Sequence, residues 1–434
     1  MWYRVMKPGL GALALWILGC STAVQAGEAL DARLKSLEQR IEELERSTVL
    51  SEPQTAVRRI EVYVDENGIE HAEPVPGARR VVTYQRERVY RRQTINEQIE
   101  AAIADADSRR VQLGVDAAIV LQSVSQRGGA PAAADGSVYQ LASTDLYFTA
   151  PLARYTFFFA DVVGLSGTPQ GSGDDGELAQ TNGYGARIVE QNNLSLREAW
   201  IRSELWRQRI ALVLGRVDLT NYFDANAAAN DETSQFLSDA LVNNPALGLS
   251  ENGAGMALTL DTKSAWVLRA GYQQSTRAAG NLSDSLYRLV EVDYRANPFR
   301  RGEGNYRFWY RWDNASGTLL NAYGLSFDQK VRPGITLFWR YGSAKAGEGD
   351  DRHASAGVQF DNGRGFFPED AWGLGAAESR FADGGRERLA EAYYNLRIAE
   401  KLRLSFHLAR LETRASGQAA RIFWVPGTRL QASF

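Results

Sequence analysis

An all-β fold, a transmembrane antiparallel β-barrel of about 16 strands, is what the sequence predicts, and three observations carry that expectation. Residues 111 to 434 read as one amphipathic strand after another, down to the strand-like run from Arg429 to Phe434. A secretory leader stands at the N-terminus. Beyond that leader no apolar stretch approaches the roughly 20 residues a spanning helix needs, which excludes a helical inner-membrane protein. Composition fits the same picture: 40 glycines suit tight turns, and 18 tyrosines, 17 phenylalanines and 10 tryptophans suit aromatic girdles at two lipid interfaces. A net charge of -3 gives no electrostatic footprint for nucleic acid.

Four segments follow in chain order. Residues 1–26 form the leader: Arg4 and Lys7 precede the apolar run from Leu10 to Gly19, and Val24, Gln25 and Ala26 supply a cleavage site before Gly27. Lipoprotein processing at Cys20 is the competing route; otherwise the mature chain has no cysteine, and disulfide or thiolate chemistry is ruled out. Residues 27–48 carry Leu30, Leu34, Leu37, Ile41 and Leu44 along one helical stripe, as in a short coiled coil. Alone it is too short to be stable, but three copies already held by a barrel homotrimer would form it by proximity. The alternative is an amphipathic helix packed on its own domain. Residues 49–110 are a linker with two short strands, 59–64 and 80–84, a turn at Asp65 to Gly68, and a helix marked by Ile95, Ile99 and Ile103. Its arginines between Arg79 and Arg92 meet either an anionic partner such as the cell wall (peptidoglycan) or lipid head groups, or only solvent.

Residues 111–434 form the barrel, and alternation tells which face meets outer-membrane lipid. Tyr306, Phe308, Tyr310 and Trp312 share one face, with Arg307 and Arg311 on the other. The same reading puts Val290, Val292 and Tyr294 outward against Glu291, Asp293 and Arg295, and Trp266, Leu268, Ala270 and Tyr272 outward against Arg269 and Gln273. Leu402, Leu404, Phe406 and Leu408 face out, with Arg403, Ser405 and His407 inward. A charge facing hydrocarbon at midplane costs about 2–4 kcal/mol, so the register cannot slip. Short hairpins are expected at Trp206 to Arg209 and Ala399 to Lys401, and longer inserts at 164–185, 344–351 and 363–385. At this size the lumen is expected to be an aqueous channel rather than a packed interior.

One stretch breaks the alternation. Asp218 to Asn226 runs into Ala229 to Pro245, where Asp231 or Thr233 is placed to cap a short helix carrying Phe236, Leu237, Ala240 and Leu241 on its apolar side. Across Leu196 to Trp200, Gly215 to Leu219, Tyr222 to Asp224, Asn230 to Thr233, Gln235 to Leu237 and Val242 to Pro245, the sequence resembles the carbohydrate-selective outer-membrane porin family, including relatives with an N-terminal coiled coil. The resemblance continues more weakly through Asp370 to Gly375, Glu391 to Tyr394 and Phe434. It implies a barrel whose inserted loop narrows the lumen and passes sugars or other small hydrophilic solutes down their gradient.

Selection needs polar and charged groups at the narrowing, which exchange a solute's water hydrogen bonds for protein ones and favour or repel ions. Arg197, Glu198, Arg202, Glu204, Arg216, Asp218, Asp224 and Asp231 lie on or beside the insert, with both signs present, either facing solute or pinning the loop. Trp200, Tyr222 and Phe223 are the aromatic candidates for the lumen. Enzymatic chemistry has little support. The 3 histidines, His71, His353 and His407, have no metal-ligand spacing, no phosphate loop opens a helix, and no cofactor is implied. Ser405 and His407 resemble a nucleophile and base only in being two apart on one strand face. Two readings therefore stand: a passive pore, and an anchor whose periplasmic part tethers the cell wall.

Overall fold

The computed structural model describes residues 55–64, 70, 71, 76 and 79–88 and, from 111 onward, all but 154, 168–177, 188–191, 207, 250, 276–285, 298–302, 315–319, 362–369 and 400. The leader, the heptad helix and the helix expected near Ile95 lie outside these residues. In the linker, β1 (Thr55–Val64), β2 (Glu70–His71) and β3 (Arg79–Arg88) make an antiparallel sheet in the order β2-β1-β3. Both expected strands are present there, and β1 pairs with β3 over its whole length.

The barrel begins with β4 (Gln112–Ser123) and its continuation β5 (Ser125–Gly128), β6 (Val138–Ala153), β7 (Thr156–Gly167), β8 (Asn193–Leu205) and β9 (Ile210–Val217). After the insert come β10 (Gly253–Asp261), β11 (Trp266–Gln274), β12 (Leu286–Ala296), β13 (Gly304–Asp313), β14 (Leu320–Arg332) and β15 (Ile335–Ala346). β16 (Gly349–Asp361), β17 (Ala371–Arg380), β18 (Arg386–Ala399), β19 (Leu402–Arg414) and β20 (Arg421–Ser433) complete it. Every neighbour pair is antiparallel, and β20 closes the ring on both β4 and β5. Since β4 and β5 are one interrupted strand, the cylinder has sixteen staves.

Alternation sorts the side chains as the pleat requires. Phe308 is 47% exposed on the outside while Arg307, one residue away, is 2% exposed inside. Outward rings meet across strands at tilted angles, Trp266 with Tyr294 and Phe327 with Trp339 among them, forming an aromatic belt. A closed ring with an apolar outer face satisfies its backbone without water, so this is a membrane-spanning barrel of the outer-membrane type.

Loops at the two ends differ. Beside the barrel's own termini lie tight connections such as Trp206 to Arg209, where Trp206 and Gln208 have positive φ. The opposite end carries the longer excursions, residues 168–192 and 218–252. Two expected long inserts are corrected. Residues 344–351 are a hairpin in which Gly347 (φ 61) turns the chain and Lys345 pairs with Asp350 at 2.8 Å. Within 363–385, residues 371–380 are β17, whose glycines imitate a loop. They are small because the wall is notched there: a Cβ on Gly375 would lie 3.1 Å from both Leu241 and Phe236.

Candidate functional site

The insert between β9 and β10 turns into the bore, and its own side chains shape it locally. Asp218, Asn226, Asp231 and Asn244 each accept the backbone N–H two residues on, giving four sharp turns. The expected helix is shorter than its apolar pattern suggests: α1 spans only Asp239–Val242. Asp231 closes a turn with Thr233 and Ser234 instead of capping it. The physical reason lies in the wall, because the N–H groups of Leu237 and Ser238 are taken by the two carboxylate oxygens of Glu391, each at 2.9 Å. The chain is drawn to β18 before it can coil.

Further wall side chains hold the insert by its backbone. Arg340 on β15 donates to the carbonyls of Asp224, Ala229, Leu241 and Val242, and its Nε lies 2.9 Å from the Asp224 carboxylate. The other Asp224 oxygen accepts Trp309 Nε1 at 2.7 Å, and the Asp224 N–H goes to Glu291. Arg307 and Ser326 both donate to the Ala225 carbonyl, Arg311 and Tyr287 to that of Leu247, and Arg429 to that of Gln235. Contacts therefore run from β11, through Gln273 on the Leu219 N–H, round to β20.

The sequence-derived candidates distribute as follows. Arg197 is the extra residue of a β-bulge, since Asp161 pairs with Glu198 and Val162 with Leu196. The bulge lets two consecutive side chains point inward. Arg197 reaches Asp161 at 2.6 Å and Asp145 at 3.8 Å, while Glu198 accepts Asp218 N–H and Asn221 Nδ2 at 2.9 Å each. Arg187 extends this cluster, bridging Asp145 at 3.1 Å and Glu232 at 2.6 Å. Arg202 pairs with Glu204 at 2.8 Å, and Asp218 also accepts from Asn252. Tyr222 sits with a buried hydroxyl in the field of Glu198, Arg202 and Asp218; burial, reinforced by Glu198, holds that phenol well above its usual range. Asp224 and Asp231 are buried in the insert as described. Arg216 is not part of this group: between the inward positions Gly215 and Val217 it takes the outer face, where its Nε bonds the Leu196 carbonyl.

The bore is fuller than expected. Trp200 stacks on Phe159 at 4.7 Å and joins Val213, Phe223 and Trp309 in one apolar cluster, while Phe236 packs on Phe338 and Tyr393 in another. Around the insert the inward charges meet one another and its backbone, so the expectation of a wall facing open water is corrected there. The insert crosses the bore bonded to the wall from β11 to β20, with an apolar cluster on each side. Pattern reading missed Asp145, Asp161, Arg187, Glu391 and Arg340 as site residues, and placed Arg307 and Arg311 inward without giving them partners. The signal available was a charge at an inward position among apolar neighbours, as for Arg340 two residues after Phe338. Ser405 and His407 are also inward and form a chain, Ser405 Oγ to His407 Nε2 and His407 Nδ1 to Glu391, both at 2.8 Å. With Ser405 1% exposed beneath the insert, that chain braces Glu391 and offers a substrate no approach.

Asp239, on α1, has its carboxyl raised to about 6 by burial, against the opposing hydrogen bond from Asn243 and with Glu232 adding repulsion. It gives the insert a titrating group near neutral pH. Among the described residues no cluster of ligands is arranged to hold a metal ion.

No family model matches the chain. An uncharacterized protein of Aquifex aeolicus (strain VF5) is 27% identical over 135 residues, 31% of this chain and 40% of that relative, so the match spans well under half of its length. Solved structures share the architecture at low identity. The high-pH structure of Pseudomonas putida OprB superposes with a TM-score of 0.61 at 13% identity, covering 79% of this chain and 98% of that one. The outer-membrane channel DcaP of Acinetobacter baumannii gives 0.50 at 9% identity, covering 75% and 97%. The fold is thus that of outer-membrane porin barrels, and the class of protein is a β-barrel with an inserted segment in its bore.

Proposed function

We propose that this chain is an outer-membrane porin through which small hydrophilic solutes, sugars first among them, diffuse passively, with residues 218–252 as its selectivity element. The observation that carries the reading is the chain of opposed charges inside the barrel: Arg187, Asp145, Arg197 and Asp161, with Glu232 from the insert. Apolar packing of similar volume would hold a plug at least as well as buried ion pairs do, so a barrel serving only as an anchor has no need of them. A solute passing them exchanges its water hydrogen bonds for guanidinium and carboxylate ones, and opposed signs disfavour apolar solutes while leaving ion selectivity weak. With the insert bonded to the wall from β11 round to β20, a low conductance per barrel is expected.

Planar-bilayer recording tests this: deletion of residues 220–246 raises the single-channel conductance several-fold, and an unchanged current would sink the reading. Liposome swelling with sugars, amino acids and phosphate identifies the solute. The anchor reading is favoured by one observation, the packed section of the bore. In it, the heptad helix joins three copies and residues 49–110 meet peptidoglycan. Deleting residues 27–110 separates the two, since a pore keeps its conductance and loses trimer stability, whereas a tether loses attachment to the cell wall.

A further inference from the structure

On the outer wall, a dent of about 540 Å³ lies across β10 to β13, with Ala270 and Val290 among its lining and Met256, Tyr272, Arg288 and Trp312 around it. Register sets the last three side by side, since Tyr272 pairs with Arg288 and Arg288 with Trp312. All three occupy outward positions, as Val290 and Tyr310 do one step down each strand. Among the described residues of β10 to β13, Arg288 is the one charged side chain on that face, and no carboxylate shares it. A guanidinium facing hydrocarbon needs an anion or water.

We propose that this dent binds one phosphorylated, multiply acylated glycolipid of the outer leaflet, with its phosphate on Arg288 and one acyl chain laid over Ala270 and Val290. Three observations select that occupant. A planar guanidinium pairs with two phosphate oxygens at once, a match that an uncharged headgroup does not offer. The apolar lining continues from the cation toward the middle of the wall, the direction an acyl chain takes from its headgroup, and the small Ala270 leaves the space it fills. Leu286, where β12 starts, is at the barrel end with the long excursions, which in such barrels faces outside, so Arg288 lies in the leaflet where phosphorylated glycolipid resides. Tyr272 and Trp312 bracket the cation at the level where amphipathic rings mark the lipid interface.

The test uses the full chain purified in detergent and incubated with bisphosphorylated lipid A, with the same lipid dephosphorylated, or with phosphatidylglycerol, retained lipid being counted by native mass spectrometry. The expected result is one bisphosphorylated lipid A retained per barrel, and tenfold weaker retention of the dephosphorylated form. Arg288→Gln lowers retention of the phosphorylated lipid by a similar factor. Ala270→Leu, which fills the dent with a side chain suited to lipid, lowers it while leaving the cation in place. Circular dichroism and gel mobility confirm that both variants fold. Equal retention by wild type and both variants would overturn the site. Phosphatidylglycerol held as tightly as lipid A would overturn the glycolipid as its occupant.

Discussion

The two halves of the insert are held by different forces. From Asp218 to Asn230 the wall grips polar groups: Glu198, Gln273, Glu291, Trp309, Arg307 and Arg340 each bond the backbone or a carboxylate of this half. From Phe236 to Val242 apolar packing is added, with Phe236 and Leu241 against Phe338, Tyr393 and Leu389, while Glu391 ties the entry and Arg340 the carbonyls of Leu241 and Val242 at the exit. The first kind of contact is directional and fails when one partner is lost. The second is graded by volume. The half rich in ionised partners is also the half beside the Arg197 cluster, so the residues that would select solutes are braced by bonds rather than by shape.

Substitutions separate the two kinds of grip. The largest effect is expected from Arg340→Ala, which strips a donor from four carbonyls and leaves the buried Asp224 carboxylate without its ion-pair partner, held only by Trp309 and Asn244, costing about 3–5 kcal/mol. It should lower the temperature at which the barrel loses its folded mobility on a gel and raise channel noise in bilayers; an unaltered transition would show that the insert does not depend on this arginine of the wall. Phe236→Ala should cost about 3 kcal/mol, through transfer and cavity terms, and loosen the apolar half alone, read as faster proteolysis of the insert without a change in ion selectivity. Glu391→Gln removes one of two acceptors and the brace to His407, with about 1–3 kcal/mol expected in the same gel assay.

A smaller effect follows from Asp239. Its carboxyl is raised from the ordinary 3.8 to about 6, so the docked insert favours the protonated acid. That contribution is complete below about 4 and is lost as pH rises through about 6. Open-channel probability should therefore increase between these values, and Asp239→Asn should flatten the profile; an unchanged profile would remove Asp239 as the titrating group. The smallest effect belongs to Arg216→Gln, which should leave the reversal potential in a salt gradient unmoved because Arg216 is on the outer face.

How much of this was legible in the sequence follows from the range of the forces involved. Facing residues on one strand depend on a two-residue period, so the assignment of Phe308 and Arg307 to opposite sides needed only neighbours. The site depends on pairs far apart, such as Arg340 with Ala229 or Glu391 with Leu237, and no local pattern contains them. Glycine misleads for a related reason: in β17 it resembles a loop signal, while its lack of a Cβ makes room for Phe236 and Leu241. Arg197 and Glu198 could both be nominated as inward only by ignoring strict alternation, and it is the bulge that makes both inward.

The hold that Arg340, Arg307, Arg311 and Arg429 keep on carbonyl oxygens has one more consequence. The segment they grip makes only short local turns of its own, one of α-helix, two of 3-10 helix and those closed by Asp218, Asn226, Asp231 and Asn244, so the path between the turns is stored in the cylinder around it. Cut out as a free peptide, residues 218–252 would keep the instructions for their turns and lose those for the path that links them. A designer wishing to reshape the passage should therefore rewrite the arginines of the wall before touching the loop.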